Sequence, residues 1–487
     1  MLSRMGSFYF DEMASVTIAN FNFPEILEYF VIENNPPLHF LYLHFWIKIF
    51  GDGEIAVRIS SLIFGLLAIP LTYLVGKEIF SKKTGLIAAA FMAISPGLIY
   101  FSVEARMYSM LLSLSLFSIY FYWKILKENK KISKLFYVFS SILLIYSHFF
   151  GYLVIIFQNI FFFVYRKNYQ HIKIFFYKIN IILIIVFSFW FIPKFLTLVY
   201  LPVSQGWYFA MTTSLLNIFS TFEEIIGITH NNRFLHAFCF LLIFALIITD
   251  FILFIKQWKK NNYTFGLTCQ HRYFFVYLWI IIPVFLSYIG NLMISKYLIF
   301  ITPALYLLIA QAIVSINLKL RIRKVVLMTV VVFIMLFIAI LPRMIIKNKI
   351  YYWDEVADYI SFKEKSGDKI ILHSFVDILE FRRYFKANAP YEGFYIFNDE
   401  NDDLEKIIIK HNWNHGFINN DIAVISDKLN IMTKNYKRIF LIDSIIPTFD
   451  PHDFVVNWFP KNNWRLIERK MFNYKLKPCV WIWEKID

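Results

Sequence analysis

Apolar runs long enough to cross a bilayer dominate the chain, separated by short polar connections. A spanning helix needs about 20 mostly apolar residues. The runs at 56–78, 84–102, 108–126, 134–148, 150–165, 174–192, 234–255, 273–290, 298–316 and 325–342 meet or approach that length. They predict about ten transmembrane helices, two of them short. A shorter stretch, Pro36 to Phe50, opens on two prolines and contains His39, His44 and Lys48; it reads as an amphipathic helix lying in the membrane interface. Beyond Pro342 the pattern changes. Polar helical stretches (353–364 and 376–384) alternate with short β-like runs (369–372, 438–443 and 479–483), which predicts a small water-soluble α/β domain. The expected fold is an α-helical polytopic membrane protein with a C-terminal soluble α/β domain. Its parts are a first loop with the interfacial helix (1–55), a transmembrane domain (56–342) and the soluble domain (343–487).

Composition sharpens this picture. The 487 residues are 59% hydrophobic and 17% charged, whereas a soluble domain carries about 25% charged residues. A soluble globule and a disordered chain are both excluded. The net charge of +15 would suggest nucleic acid for a soluble protein, but here position decides. Lysines and arginines cluster at 77–83, 124–134, 166–173, 256–272 and 319–324, and the alternate connections hold only isolated cations: Arg106, Lys194, Arg233 and Lys296. Basic loops mark the cytoplasmic side, so both ends of the chain are expected outside, with membrane lipids as partners and no nucleic acid. Cys239, Cys269 and Cys479 show no paired spacing, which argues against a disulfide framework or a structural zinc site. No cleavable signal opens the chain.

Candidate chemistry gathers at the expected outer face. Asp11 and Glu12, flanked by Phe8, Tyr9, Phe10 and Met13, suit a general base near an apolar surface and equally suit the start of a helix. Glu104, Arg106 and Tyr108 open the run at 108–126; the guanidinium there fits bidentate phosphate contact or snorkelling to the interface. His148 sits in the turn between two short runs, as ligand or as turn residue. Lys296-Tyr297 reads as an interfacial anchor or as a second phosphate clamp. Glu223 and Glu224 lie in a long outer loop. His39 and His44 are five residues apart, unlike the i, i+4 zinc pair, and read as structural. The main ionisable residue within a run is Asp250.

These segments in order, FYFDEMAS, NNPPLHFLYLHFWIKIFGDGEIAVRISS, GKEIFSKKTGLIAAAFMAISPGLIYFSVEARMYSM, YSHFFGYL, SKYLIFITPALYLL and WDEVADYI, resemble GT-C glycosyltransferases of the dolichyl-phosphate-mannose protein mannosyltransferase type. The resemblance covers most of residues 8–375. It implies a hexosyltransferase of the cell envelope, active in glycosylation of a protein or another acceptor (lipid or glycan) on the outer membrane face. Its donor would be a polyprenyl-phosphate-linked sugar, with inversion at the anomeric carbon. On the same resemblance Asp11 is the general base and Glu12 supports it. Arg106 would bind the donor phosphate with Tyr108 and Glu104 beside it, and His148 and Lys296 would line the donor site. Asn34 and Asn35 stand where relatives have histidine or a charged pair; Asn35 is kept as a substrate-binding candidate and no metal ligand is assigned, a divalent ion remaining open. Relatives carry a first transmembrane helix before the Asp-Glu loop, and the ten residues preceding Asp11 lead to the expectation that it is missing. The alternative reading is a transporter or flippase of lipid-linked glycans, which would call for mid-membrane ionisable residues and internal repeats; the sequence offers little of either.

Overall fold

The computed structural model describes residues 6–29, 35–200, 215–226, 269–315, 352–374, 377–393, 422–443, 453–472 and 478–486. They form two compact units: one takes the described residues of 1–33 and 348–487, the other almost all of those between. The first unit opens with helices α1 (Phe10–Asn20) and α2 (Phe23–Tyr29). The second is helical: α3 (Leu38–Phe50), α4 (Glu54–Ile79), α5 (Lys82–Ile94), α6 (Pro96–Ser102), α7 (Tyr108–Glu128), α8 (Lys131–Ser147), α9 (Gly151–Val164), α10 (Lys173–Tyr200), α11 (Leu215–Ile226), α12 (Cys269–Ile289) and α13 (Thr302–Ser315).

Among the described residues, Glu54–Ile79, Tyr108–Glu128, Gln170–Leu196 and His271–Ile289 are long and apolar enough to cross a bilayer. The expected span at 84–102 is broken: α5 and α6 meet at Ser95-Pro96 with a 63° bend. Proline at the first position of α6 lacks the N–H that would continue the α5 ladder and pushes Ser95 into extended backbone. The runs at 134–148 and 150–165 become α8 and α9, 17 and 14 residues long, which are shorter than a full crossing. The spans expected at 234–255 and 325–342, with Asp250, lie outside the described residues, as do Glu33 and Asn34.

Small and polar residues set the helix contacts, as suits a bundle whose surroundings are as apolar as its interior. A Cβ on Gly76 of α4 would stand 2.6 Å from the Cα of Gly85 in α5, so two glycines are what allow these backbones to cross. Thr84 Oγ1 donates to Gln311 Oε1 at 2.7 Å, joining α5 to α13. The Tyr306 hydroxyl and Ser95 Oγ are 2.9 Å apart, fixing the break between α5 and α6. Between α8 and α9 the chain reverses in three residues, with Gly151 N–H donating to the His148 carbonyl at 2.9 Å.

The C-terminal part of the first unit contains α14 (Trp353–Lys363), β1 (Asp368–Leu372), α15 (Ile378–Tyr384), β2 (Tyr391–Gly393), α16 (Ile422–Thr433), β3 (Arg438–Asp443), α17 (Phe454–Lys461), β4 (Trp464–Met471) and β5 (Cys479–Lys485). The sheet order is β2-β1-β3-β5-β4. Strands β2, β1 and β3 are parallel; β5 and β4 complete the sheet antiparallel. Ile371, Leu429, Ile439, Leu441, Phe459 and Trp483 lie in one apolar core between sheet and helices. The C-terminal α/β domain expected from the sequence is present.

Candidate active site

Five residues between α6 and α7 shape the candidate donor site. Arg106 N–H donates to the Glu104 carbonyl at 2.7 Å, a three-residue turn. Ser61 Oγ of α4 donates to the Arg106 carbonyl at 3.1 Å, and Ser109 Oγ donates to the Phe101 carbonyl at 3.0 Å. These bonds pin both flanks of the turn. Gly97 of α6 lies against the Ile225 carbonyl of α11 so closely that no side chain fits there. Glu104, Arg106 and Tyr108 are all buried.

Residues distant in sequence converge on this turn. Lys296, in a 3₁₀ turn at Ser295–Tyr297, places Nζ 5.3 Å from the centre of the Tyr108 ring, a cation–π contact worth about 0.5–2 kcal/mol. Ser295 Oγ donates to Glu224 Oε2 at 2.6 Å and tethers that turn to α11. The His148 ring lies 4.8 Å from Tyr297 and 6.1 Å from Tyr108. Its Nδ1 accepts from the Phe150 N–H at 3.1 Å, so the neutral ring carries its proton on Nε2. That atom is buried without a protein partner among the described residues. Burial, then the charges of Arg106 and Lys296, lower the His148 pKa to about 3, which leaves a neutral hydrogen-bond donor among cations.

Arg106, Tyr108, Glu104, His148 and Lys296 are thus brought into one region of the helical unit. Asn35 is buried just before α3. One residue not assigned to this region from the sequence joins it. His39 of α3 is buried, with its pKa lowered to about 3 by burial and by Arg106, against a hydrogen bond with the Ala105 backbone that acts the other way. It braces the same turn, and nothing in PPLHF signalled this. Arg58, in the first turns of α4, is a fully buried guanidinium.

The acidic pair belongs to the other unit. Asp11 and Glu12 occupy the first turn of α1, where carboxylates favour the positive end of the helix dipole. Glu12 is fully buried, and its Oε2 accepts from the Tyr9 N–H at 3.4 Å, closing the turn. Asp11 is half-buried and its Oδ2 accepts from the Tyr9 hydroxyl at 3.0 Å. One carboxylate holds the helix start and the other is held by the Tyr9 hydroxyl. Among the described residues, no group of three or more His, Cys, Asp or Glu side chains is placed to hold a metal ion.

Residues 34–192 match the family model described as dolichyl-phosphate-mannose-protein mannosyltransferase. No curated protein matches the chain by sequence. Among solved structures, the chain is similar to ArnT from Cupriavidus metallidurans in the apo state (TM-score 0.55, 12% identity, 92% of this chain and 87% of that one). It is also similar to ArnT bound to undecaprenyl phosphate (TM-score 0.53, 12% identity, 92% and 87%). A third likeness is to the Archaeoglobus fulgidus oligosaccharyltransferase tethered with an acceptor peptide (TM-score 0.54, 13% identity, 90% of this chain and 65% of that one). The structural likeness shows the GT-C fold. The family match covers the segment that carries Arg106, Tyr108 and His148.

Proposed function

We propose that the protein transfers a sugar from a polyprenyl-phosphate carrier to an acceptor hydroxyl on the outer membrane face, with inversion at the anomeric carbon. The acceptor O–H loses its proton to the Asp11 carboxylate as its oxygen bonds to the anomeric carbon. The bond from that carbon to the phosphate oxygen breaks, and its electron pair leaves with the polyprenyl phosphate. The donor is a phosphodiester with one negative charge, and the departing monoester carries two. Cations set against the phosphate therefore act more strongly on the transition state than on the bound donor. Arg106 is the phosphate ligand in this reading, Lys296 adds charge, and Tyr108, Glu104, His148 and Asn35 line the donor side. Glu12 holds the turn that presents Asp11. The outer-face orientation follows from the alternation of basic and uncharged loops.

The observation that carries this reading is the convergence of Arg106, Lys296 and a neutral, proton-donating His148 around Tyr108. The undecaprenyl phosphate of one structural neighbour and the acceptor peptide of another fit the same scheme. The test is consumption of labelled polyprenyl-phosphate sugars by membranes containing the chain, beside Asp11→Asn at equal expression. Consumption that disappears in the variant supports both the reaction and the base; equal consumption by both removes Asp11 from that role.

A further inference from the structure

Helix α1 is joined to the C-terminal domain by contacts that span almost the whole chain. The Tyr384 hydroxyl of α15 accepts from the Phe8 N–H at 2.9 Å. Ser7 Oγ accepts from the Trp353 N–H at 2.9 Å. The Arg383 guanidinium covers the Phe8 ring at 5.0 Å, and α1 packs on α15. Four residues before Tyr384, and so on the same face of α15, stands Glu380. It is 1% exposed, and its Oε2 has no hydrogen-bond partner among the described residues. A buried carboxyl oxygen without a partner calls for an explanation. The charges that face it are Asp377 on its own segment and Asp11 on α1; with burial as the larger cause, they hold Glu380 well above the usual carboxylate range, against a hydrogen bond from its own backbone N–H.

We propose that the C-terminal domain is a working part of the catalytic centre: α15 clamps the helix that carries Asp11, and Glu380 is a positioning residue for that base. This rests on the reading of Asp11 given above. A neutral acid at 380 fills the space beside Asp11 without adding a second negative charge, so the base keeps both its orientation and its ionised form. An apolar side chain in its place removes the polar wall, and a permanent charge there would oppose ionisation of Asp11.

The test uses the full chain in membranes, with kcat and donor KM measured on a labelled polyprenyl-phosphate sugar. Misplacing a catalytic group by about 1 Å can lower turnover up to about a hundredfold. Glu380→Leu is therefore expected to lower kcat by about tenfold or more with donor KM unchanged. Glu380→Gln, a neutral isostere, is expected to stay within about threefold of the parent chain, and Tyr384→Phe to lose about three- to tenfold in kcat, the worth of one hydrogen bond. Full kcat in Glu380→Leu, or an equal loss in Glu380→Gln and Glu380→Leu, overturns the proposal. If Glu380→Leu fails to accumulate in the membrane, Tyr384→Phe decides: unchanged kcat there overturns the clamp. Activity in Asp11→Asn would remove the underlying reading, whereas an inactive Asp11→Asn beside a fully active Glu380→Leu would remove only this inference.

Discussion

The two units handle charge differently. In the helical unit the charged groups gathered near Tyr108 are Arg106, Lys296 and one carboxylate, Glu104, with His39 and His148 kept neutral by burial and by Arg106. In the other unit the notable groups are carboxyls: Asp11 in the first turn of α1, Glu380 held well above the usual carboxylate range by burial and by Asp377 and Asp11, and Asp443 paired with His373 at 3.2 Å where β3 ends. Phosphate binding and proton removal require opposite charge, and a cation beside a general base would lower its basicity. On the proposed reading, placing the two chemistries on different units lets each keep its own electrostatic environment.

The largest expected effect that would break this contrast is on turnover. A positioned general base contributes about 10²–10⁴ in rate, so Asp11→Asn should lose that much in kcat while binding donor as before. Next is donor binding. Arg106→Met should raise donor KM by about 10–100-fold, the worth of a charge-assisted hydrogen-bond pair, with Arg106→Lys recovering only part because ammonium lacks the planar fork.

A smaller effect separates the units by the sign of their pH response. His39 and His148 are neutral when folded down to pH about 3, but protonate in the unfolded chain near pH 6.5. The unfolded state therefore binds more protons as pH falls below 6.5, and each histidine removes about 2 kcal/mol of stability between pH 6.5 and 5. Glu380 has the reverse sign. With its pKa raised by burial and by Asp377 and Asp11 in the folded chain, it lowers stability as pH rises above its ordinary value. Melting in detergent should show His148→Asn flattening the loss between pH 6.5 and 5, and Glu380→Gln flattening the loss on the alkaline side. A pH profile unchanged by both substitutions would contradict the assignment. The smallest effect expected is Gly76→Ala, whose added methyl meets the Gly85 backbone; about 1–3 kcal/mol of overpacking should lower the melting temperature without altering the ratio of kcat to KM.

The helical unit was the easier to read in the sequence, since long apolar runs mark α4, α7, α10 and α12 without reference to anything else in the chain. The break at Ser95-Pro96 escaped a reading by hydropathy because α5 and α6 are both apolar; only the proline marked it. In the C-terminal domain β1, β3 and β5 are buried and β-branched or aromatic, and so were legible. Strand β4, WRLIERKM, was missed because it is an exposed edge strand whose Arg465, Glu468 and Lys470 interrupt any apolar alternation. The candidate site divides the same way. Arg106 and Asp11 stood out as charges beside apolar segments, whereas His39 and Glu380 owe their positions to packing between elements far apart in the chain, for which no local pattern exists. Likewise, His373 and Asp443 meet only because β1 and β3 are parallel neighbours.

The central claim is that donor phosphate binding and base catalysis reside on different units. The direct measurement is equilibrium binding of a labelled polyprenyl-phosphate sugar, with single-turnover transfer followed in the same membranes, for the parent chain, Asp11→Asn and Arg106→Met. The account predicts that Asp11→Asn binds donor like the parent and transfers nothing, while Arg106→Met binds weakly and transfers more slowly, though measurably, at saturating donor. Loss of donor binding in Asp11→Asn, or parent-like binding in Arg106→Met, would contradict it.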